Sequence, residues 1–258
     1  MKIADIIAAV EEFAPLGIQE PWDNSGLCIG DPSAEATGVL VGFDCTPALV
    51  DEAASRGCNL VITHHPLIFK GLKQIRSGDP VGEAIMRAIR SGIAVYAAHT
   101  TADKVIEGVS GAMARRLSLK DIRILEDEGG HGLGAVGTLE KPLSGMEAVQ
   151  LLKQRFGLTV IRTSAPIEGP ITTVAVLGGS GGSEVQQARA AGAQLYVTAD
   201  ISYHNFFTPE GFMVADIGHF ESEVEITDIL FSLLKKKFPN FAVHLGASLR
   251  ESNPVHYF

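Results

Sequence analysis

The segment that most constrains this chain is Asn59-Leu-Val-Ile-Thr-His-His-Pro66. Leu60 to Thr63 is apolar and β-branched and reads as a short buried strand. Pro66 lacks an amide hydrogen and keeps that strand from continuing. His64 and His65 therefore fall where a parallel strand opens into its loop, which is where α/β sheets gather their ligands. Inside a strand, adjacent side chains point to opposite faces. Past the strand end both imidazoles can turn toward one pocket. Taken alone, the pair fits equally a polar strand cap with two solvated rings.

The same pattern recurs along the chain. Val39 to Phe43 reads as a strand ending in Asp44, and Thr46-Pro47 opens a helix that runs to about Gly57, with proline in the first turn. Together with the histidine strand this predicts a β-α-β unit and a parallel sheet. Pro80 to Ser91 reads as a helix. Ile93 to Ala98 reads as a strand ending on His99-Thr-Thr-Ala-Asp103, and a helix over Val105 to Leu117 follows. Further on, the strand Gln194 to Thr198 leads to Asp200 and His204, and the strand Phe212 to Asp216 leads to Gly218-His219-Phe-Glu-Ser-Glu223. His219 and Glu223 are spaced i, i+4, so on a helix both project to one side. At the start of the chain, Ile3, Ile6, Ile7, Val10 and Phe13 share one face of an amphipathic helix.

Between these segments, the acidic, Gly-rich stretch Glu126 to Gly134 looks like a boundary or an exposed turn. Ala135 to Leu139, Leu158 to Arg162 and Ile171 to Leu177 read as strands, and Ser144 to Phe156 as a helix. Gly178-Gly-Ser-Gly-Gly-Ser183 precedes a helix over Glu184 to Ala191 and could cradle an anion on backbone N–H groups. It matches neither the P-loop nor the GxGxxG spacing, and a tight turn beside a neighbouring group is the other reading. The closing segments are a helix over Glu225 to Lys237, a strand over Phe241 to Leu245 and an apolar tail from Ser252 to Phe258, which is expected to dock on a partner subunit.

Composition removes several function classes. A net charge of −9 argues against a broad surface that tracks nucleic-acid phosphates, although Lys70, Lys73 and Arg76 on one loop are compatible with a small anionic substrate. No apolar run approaches the roughly 20 residues of a membrane span, and the N-terminus lacks a signal peptide's apolar core. Cys28, Cys45 and Cys58 are odd in number and lack CxxC spacing. They read as reduced, buried thiols of a cytoplasmic protein rather than metal ligands.

The residues beyond the strand ends are His64, His65, Asp103, His219 and Glu223. Three imidazoles and two carboxylates exceed what one tetrahedral metal with an open position needs. They suit two divalent ions sharing a carboxylate, and ligation by nitrogen and oxygen without thiolate fits Zn, Fe, Mn or Ni. Such a pair binds and activates water for attack on phosphorus or a carbonyl-like carbon. His99, Asp200 and His204 are candidates to orient ligands or to move protons, with His99 and His204 as the catalytic acid/base groups.

The segments PWDNSGLCIG (21–30), VITHHPLIF (61–69), AHTTAD (98–103), YVTADISYH (196–204) and GHFESE (218–223), in this order and spacing, resemble the Nif-three-like family. Its members are also called dinuclear metal centre hexamer proteins or GTP cyclohydrolase I type 2 homologues. The resemblance implies an α/β fold of two α/β domains, the second inserted into the first, with mixed sheets flanked by helices. On this chain it places the metal-binding domain at residues 1–125 and 216–258 and the smaller inserted domain at 126–215. It also implies a homohexamer, and it names the five residues above as ligands with Glu223 bridging. In that arrangement His65 and Asp103 bind one ion, and His64 and His219 the other. Thr101 and Ala102 stand where many members have Asn and Leu. Ala199 and Asn205 likewise depart from the common GDIKYHD pattern around His204. Two functions follow as expectations: a metal-dependent hydrolase acting on a nucleotide, a phosphoester or a purine ring amide, or a non-catalytic metal-binding scaffold with a regulatory role.

Overall fold

The computed structural model describes residues 1–247 and 253–257. It divides into two compact units, Met1–Ala102 with Ile226–His256 and Asp103–Glu225 with Tyr257–Phe258, so the second interrupts the first in sequence.

In the first unit, α1 (Ile3–Phe13) buries Ile3, Ile6, Ile7 and Val10 as their spacing predicts, while Phe13 stays half-buried. β1 (Gly26–Ile29), β2 (Val39–Gly42), α2 (Pro47–Ser55), β3 (Leu60–Thr63), α3 (Pro80–Arg90) and β4 (Ala94–Ala97) follow. β2, β3 and β4 are parallel, in a register that pairs Gly42 with Thr63 and Thr63 with Ala97. Their ends are therefore level, and Asp44, His64 and His99 lie one or two residues beyond them at one edge of the sheet. Both crossover helices start on a side-chain cap followed by proline. Thr46 Oγ1 accepts from Leu49 N–H, and Asp79 Oδ2 accepts from Gly82 N–H. Leu49, Val50 and Ala53 of α2 and Ile85 and Ala88 of α3 pack against Val61 and Val95 of the sheet. β1 is an antiparallel edge on β4.

The helix expected over 105–117 forms only in its later part. The polar cluster after β4 is itself a helical turn, α4 (Thr100–Asp103), and α5 (Val109–Arg116) starts only after Gly108, whose ψ of −145° leaves helical geometry.

In the second unit, β5 (Lys120–Ile124) and β6 (Ala135–Leu143) form an antiparallel hairpin, and the acidic, Gly-rich stretch is its connection, exposed at residues 127–130. α6 (Gly145–Phe156) opens on a reciprocal Ser144–Glu147 cap and ends on Gly157 at φ 69°. A strand is expected at 158–162, yet only β7 (Arg162–Thr163) forms, antiparallel to the later β10. β8 (Ile171–Ser180) runs through Gly178 and Gly179, so half of the expected glycine loop is strand. α7 (Val185–Ala190), β9 (Leu195–Ala199), β10 (Met213–Asp216) and α8 (His219–Glu223) complete the unit. The sheet order is β5-β6-β8-β9-β10-β7, with β8, β9 and β10 parallel. Met113 and Leu117 pack with Leu152 and Phe156 on one face, against Val174, Val197 and Met213. Ala188, Ile201 and Phe212 cover Ala175, Tyr196 and Val214 on the other.

α9 (Glu225–Lys237) then leads back, and β11 (Val243–Leu245) pairs parallel with β2, giving the first sheet the order β1-β4-β3-β2-β11. Of the apolar tail, Asn253 to Tyr257 is irregular, with Val255 and Tyr257 about half exposed, whereas Ser252 and Phe258 lie outside the described residues. Among the described residues no helix is long and apolar enough to cross a membrane.

Candidate metal centre

The backbone N–H groups of His64 and His65 both donate to the carbonyl of Phe43, at 3.1 and 3.2 Å. Two consecutive residues thus hang from one acceptor, the alternation of the strand is broken, and the two rings come together with centroids 4.9 Å apart. His64 Nδ1 lies 3.0 Å from the carbonyl oxygen of Ala98 and His65 Nδ1 lies 2.8 Å from Asp44 Oδ1. A carbonyl and a carboxylate can only accept, so Nδ1 carries the proton in both rings and the lone pair is on Nε2. His64 is fully buried.

His99 completes a triangle of imidazoles, 5.5 Å from both His64 and His65. Its Nδ1 donates to Asp23 Oδ1 at 2.6 Å. The other carboxylate oxygen accepts from Ser25 Oγ and from the N–H and hydroxyl of Thr100. Burial opposes charge on Asp23, but the hydrogen bonds from His99, Ser25 and Thr100 outweigh it and hold the carboxyl well below the usual carboxylate range.

The second unit presents His219 and Glu223 on α8. The Nδ1 of His219 donates to Asp200 Oδ2 at 2.8 Å, while its Nε2 approaches Glu223 Oε2 at 3.0 Å. With Nδ1 committed to Asp200, a proton or a cation must lie between Nε2 and the carboxylate, since two lone pairs at that distance repel. The glycines expected to cradle an anion instead make room for this pair. A Cβ on Gly179, which sits at φ +65°, would meet Glu223 Oε1 at 2.2 Å and His219 Cε1 at 3.3 Å. The helix is fixed there by Ser222 Oγ, which accepts from Gly179 N–H and donates to the carbonyl of His219. Glu223 is buried, as is Asp103 at the end of α4.

His64 and His65 in the first unit and Glu223 in the second are residues of the kind that could hold a metal ion. His64 and His65 in the first unit, and His219 with buried Asp103 and Glu223 in the second, supply the nitrogen and oxygen donors that a hard or borderline divalent cation takes. The cysteines play no part. Burial pushes the Cys45 thiol up to about 12 and raises that of Cys28 as well, so both stay protonated. His204 lies in a short 3₁₀ turn, and its exposed ring meets Tyr203 and Phe207 rather than Asp200 or His219. Sequence reasoning missed Asp44 as an orienting group. Its signal was its place one residue past Phe43, at the end of the strand that neighbours the histidine strand.

These features define an α/β protein with a candidate metal site built from histidine and glutamate. The chain belongs to the family described as Duf34/NIF3 (NGG1p interacting factor 3), whose sequence pattern matches residues 1–254. Among its relatives, the GTP cyclohydrolase 1 type 2 homolog of Clostridium acetobutylicum is 33% identical over 86% of this chain and 85% of its own length. The protein of the same name from Lactococcus lactis subsp. lactis is 33% identical over 99% of each. Of the solved structures, the Staphylococcus aureus hypothetical protein SA1388 is similar with a TM-score of 0.93 at 28% identity, over 100% of this chain and 99% of that one. A Bacillus cereus protein related to NIF3 shares the fold with a TM-score of 0.90 at 23% identity, over 100% and 99%.

Proposed function

We propose that this protein is a metal-dependent hydrolase that uses His64, His65, Asp103, His219 and Glu223 to hold two divalent ions, with Glu223 shared, and that it works as a homohexamer. The observation that carries the reading is the 3.0 Å approach of His219 Nε2 to Glu223 Oε2, made by a ring whose other nitrogen already donates to Asp200. The fixed tautomers of His64 and His65 support it from the other strand ends. When bound, such an ion pair supplies an activated water and polarises a substrate oxygen.

His99 has a different task. Asp23 holds its Nδ1–H, so Nε2 is the nitrogen that exchanges a proton with a leaving group. His204, exposed and stacked beside Phe207, has no comparable anchor, and the proton-carrying role falls to His99. The substrate class is a nucleotide, a phosphoester or a purine ring amide, to which the name borne by the relatives also points.

The test measures metal content and hydrolysis of a nucleotide and phosphodiester panel on the same preparations. Wild type should carry about two metals per chain. His64→Ala should lose metal and turnover together. His99→Ala should keep its metal and lose roughly 10²- to 10⁴-fold in turnover, the range for a lost acid/base group. Full activity in chelated, metal-free protein refutes the mechanism. Retained metal without turnover on any compound of the panel replaces the hydrolase by a metal-binding scaffold.

A further inference from the structure

The chain has a single tryptophan, and it lies in the open. Trp22 is 59% exposed and Phe69 is 42% exposed, with ring centroids 6.1 Å apart and planes at 72°. Both meet the ring of His99 edge-on, at 6.2 and 5.9 Å. Two such rings on loops would ordinarily be mobile, but here the loops are tied. Asp23, the neighbour of Trp22, is the buried carboxylate that binds His99 and Thr100. Asn24 Nδ2 donates to the carbonyl of Ile68, the neighbour of Phe69, at 2.5 Å. The result is a fixed aromatic corner with an imidazole at its base.

The loop that continues from Phe69 carries Lys70, Lys73 and Arg76, with no acidic residue before Asp79. All three are exposed, and none forms an ion pair among the described residues. In a chain of net charge −9 this loop carries a local excess of cations.

We propose that Trp22 and Phe69 form a stacking subsite for a planar heteroaromatic ring bearing an anionic group, with the cations of residues 70–76 receiving the anion. A ring laid on the open face of Trp22 turns its edge to Phe69 and brings its substituents toward His99. Aromatic pairs favour offset stacking and edge-to-face contact of this kind. The subsite rests on the reading of His99 as a proton carrier, but its occupancy can be measured without turnover.

Trp22 is the only tryptophan, so its fluorescence reports the corner directly. Purified protein is titrated with adenosine 5′-monophosphate, adenosine and ribose 5-phosphate, by fluorescence and in parallel by calorimetry. The nucleotide should quench saturably, adenosine more weakly for want of the anion, and ribose 5-phosphate should not quench. Phe69→Ala and Phe69→Leu should each weaken nucleotide binding roughly 5- to 150-fold, as for a lost base-stacking partner. Circular dichroism checks that both variants are folded. Lys70→Ala with Lys73→Ala should flatten the salt dependence. Absence of saturable quenching overturns the proposal, and so does ribose 5-phosphate binding as tightly as the nucleotide. Unchanged affinity in both Phe69 variants, as for a surface that docks a protein instead, overturns it too. Metal content measured on the same samples separates the two readings. Bound metal without quenching sinks the subsite alone, and quenching in a protein that binds no metal sinks the metal centre alone.

Discussion

Replacing Gly179 with alanine tests the metal seat without substituting a ligand. The residue lies at φ +65°, which an L-residue adopts at a cost of about 1–2 kcal/mol. Its added Cβ would sit 2.2 Å from Glu223 Oε1, and ordinary contact starts near 3.4 Å, so the carboxylate oxygen must retreat by about 1.2 Å. Glu223 is the flexible partner and can move, so the second unit should stay folded. For a protein of this size the backbone cost corresponds to a fall in Tm of about 2–8 °C. The larger effect should fall on metal affinity. Coordination distances tolerate about 0.2 Å, and disturbing even a supporting group commonly costs about 10- to 100-fold. Gly179→Ala should therefore weaken binding of Zn²⁺ or Mn²⁺ by at least about 10-fold, read by isothermal calorimetry on chelator-stripped protein. Gly182→Ala is the control, because its Cβ meets nothing closer than the Asn205 amide at 3.2 Å, and it should bind metal like wild type. Wild-type metal affinity in Gly179→Ala would refute the idea that this glycine exists to seat Glu223.

Three further outcomes are expected. Asp23 is depressed below its ordinary value of 3.8, so its contribution to stability is present above that pH and lost as pH falls below it. Asp23→Asn should lower Tm at neutral pH and flatten the acid limb of a Tm-versus-pH curve, and an unchanged limb would count against the His99–Asp23 pair. Thr101 Oγ1 is buried with no hydrogen-bond partner among the described residues, so Thr101→Val should raise stability by about 1 kcal/mol in a denaturant titration. A loss of stability instead would show that the hydroxyl is satisfied in solution. Light scattering at micromolar concentration should give a hexamer, and a monomer would refute the assembly; truncation after Asn253, which removes exposed Val255 and Tyr257, should shift the protein to smaller species.

The parts of this fold that were legible in the sequence are those with local causes. Leu60 to Thr63 is a strand with those bounds because β-branched residues precede two histidines and the proline that directly follows them. The helices after Thr46, Asp79 and Ser144 start where cap and proline or glutamate signals place them. The strand Lys120 to Ile124 was not legible, because an exposed hairpin edge of alternating charge has no buried face to imprint a period on. Gly178 and Gly179 misled for a related reason. Their glycine content answers to a side chain some 45 positions downstream, which spacing alone cannot reveal. The candidate ligands were visible because their residue types are chemically narrow. The groups that aim them, Asp44 and the carbonyl of Ala98, were harder, since a backbone oxygen leaves no mark in composition.

The shared acceptor at Phe43 has a consequence for anyone wishing to transplant this chemistry. Two histidines written after a strand of some other protein would not reproduce the half-site, because a strand left to itself splays them apart. What must travel is the frame: the Phe43 carbonyl that gathers both backbone amides, the Asp44 carboxylate one residue on, and the Ala98 carbonyl at the end of the next strand. These atoms come from the two strands that flank the histidine strand, and all three run parallel in fixed register. The portable unit is therefore a three-strand edge and not a sequence motif, and a host sheet is suitable only if its strands end level.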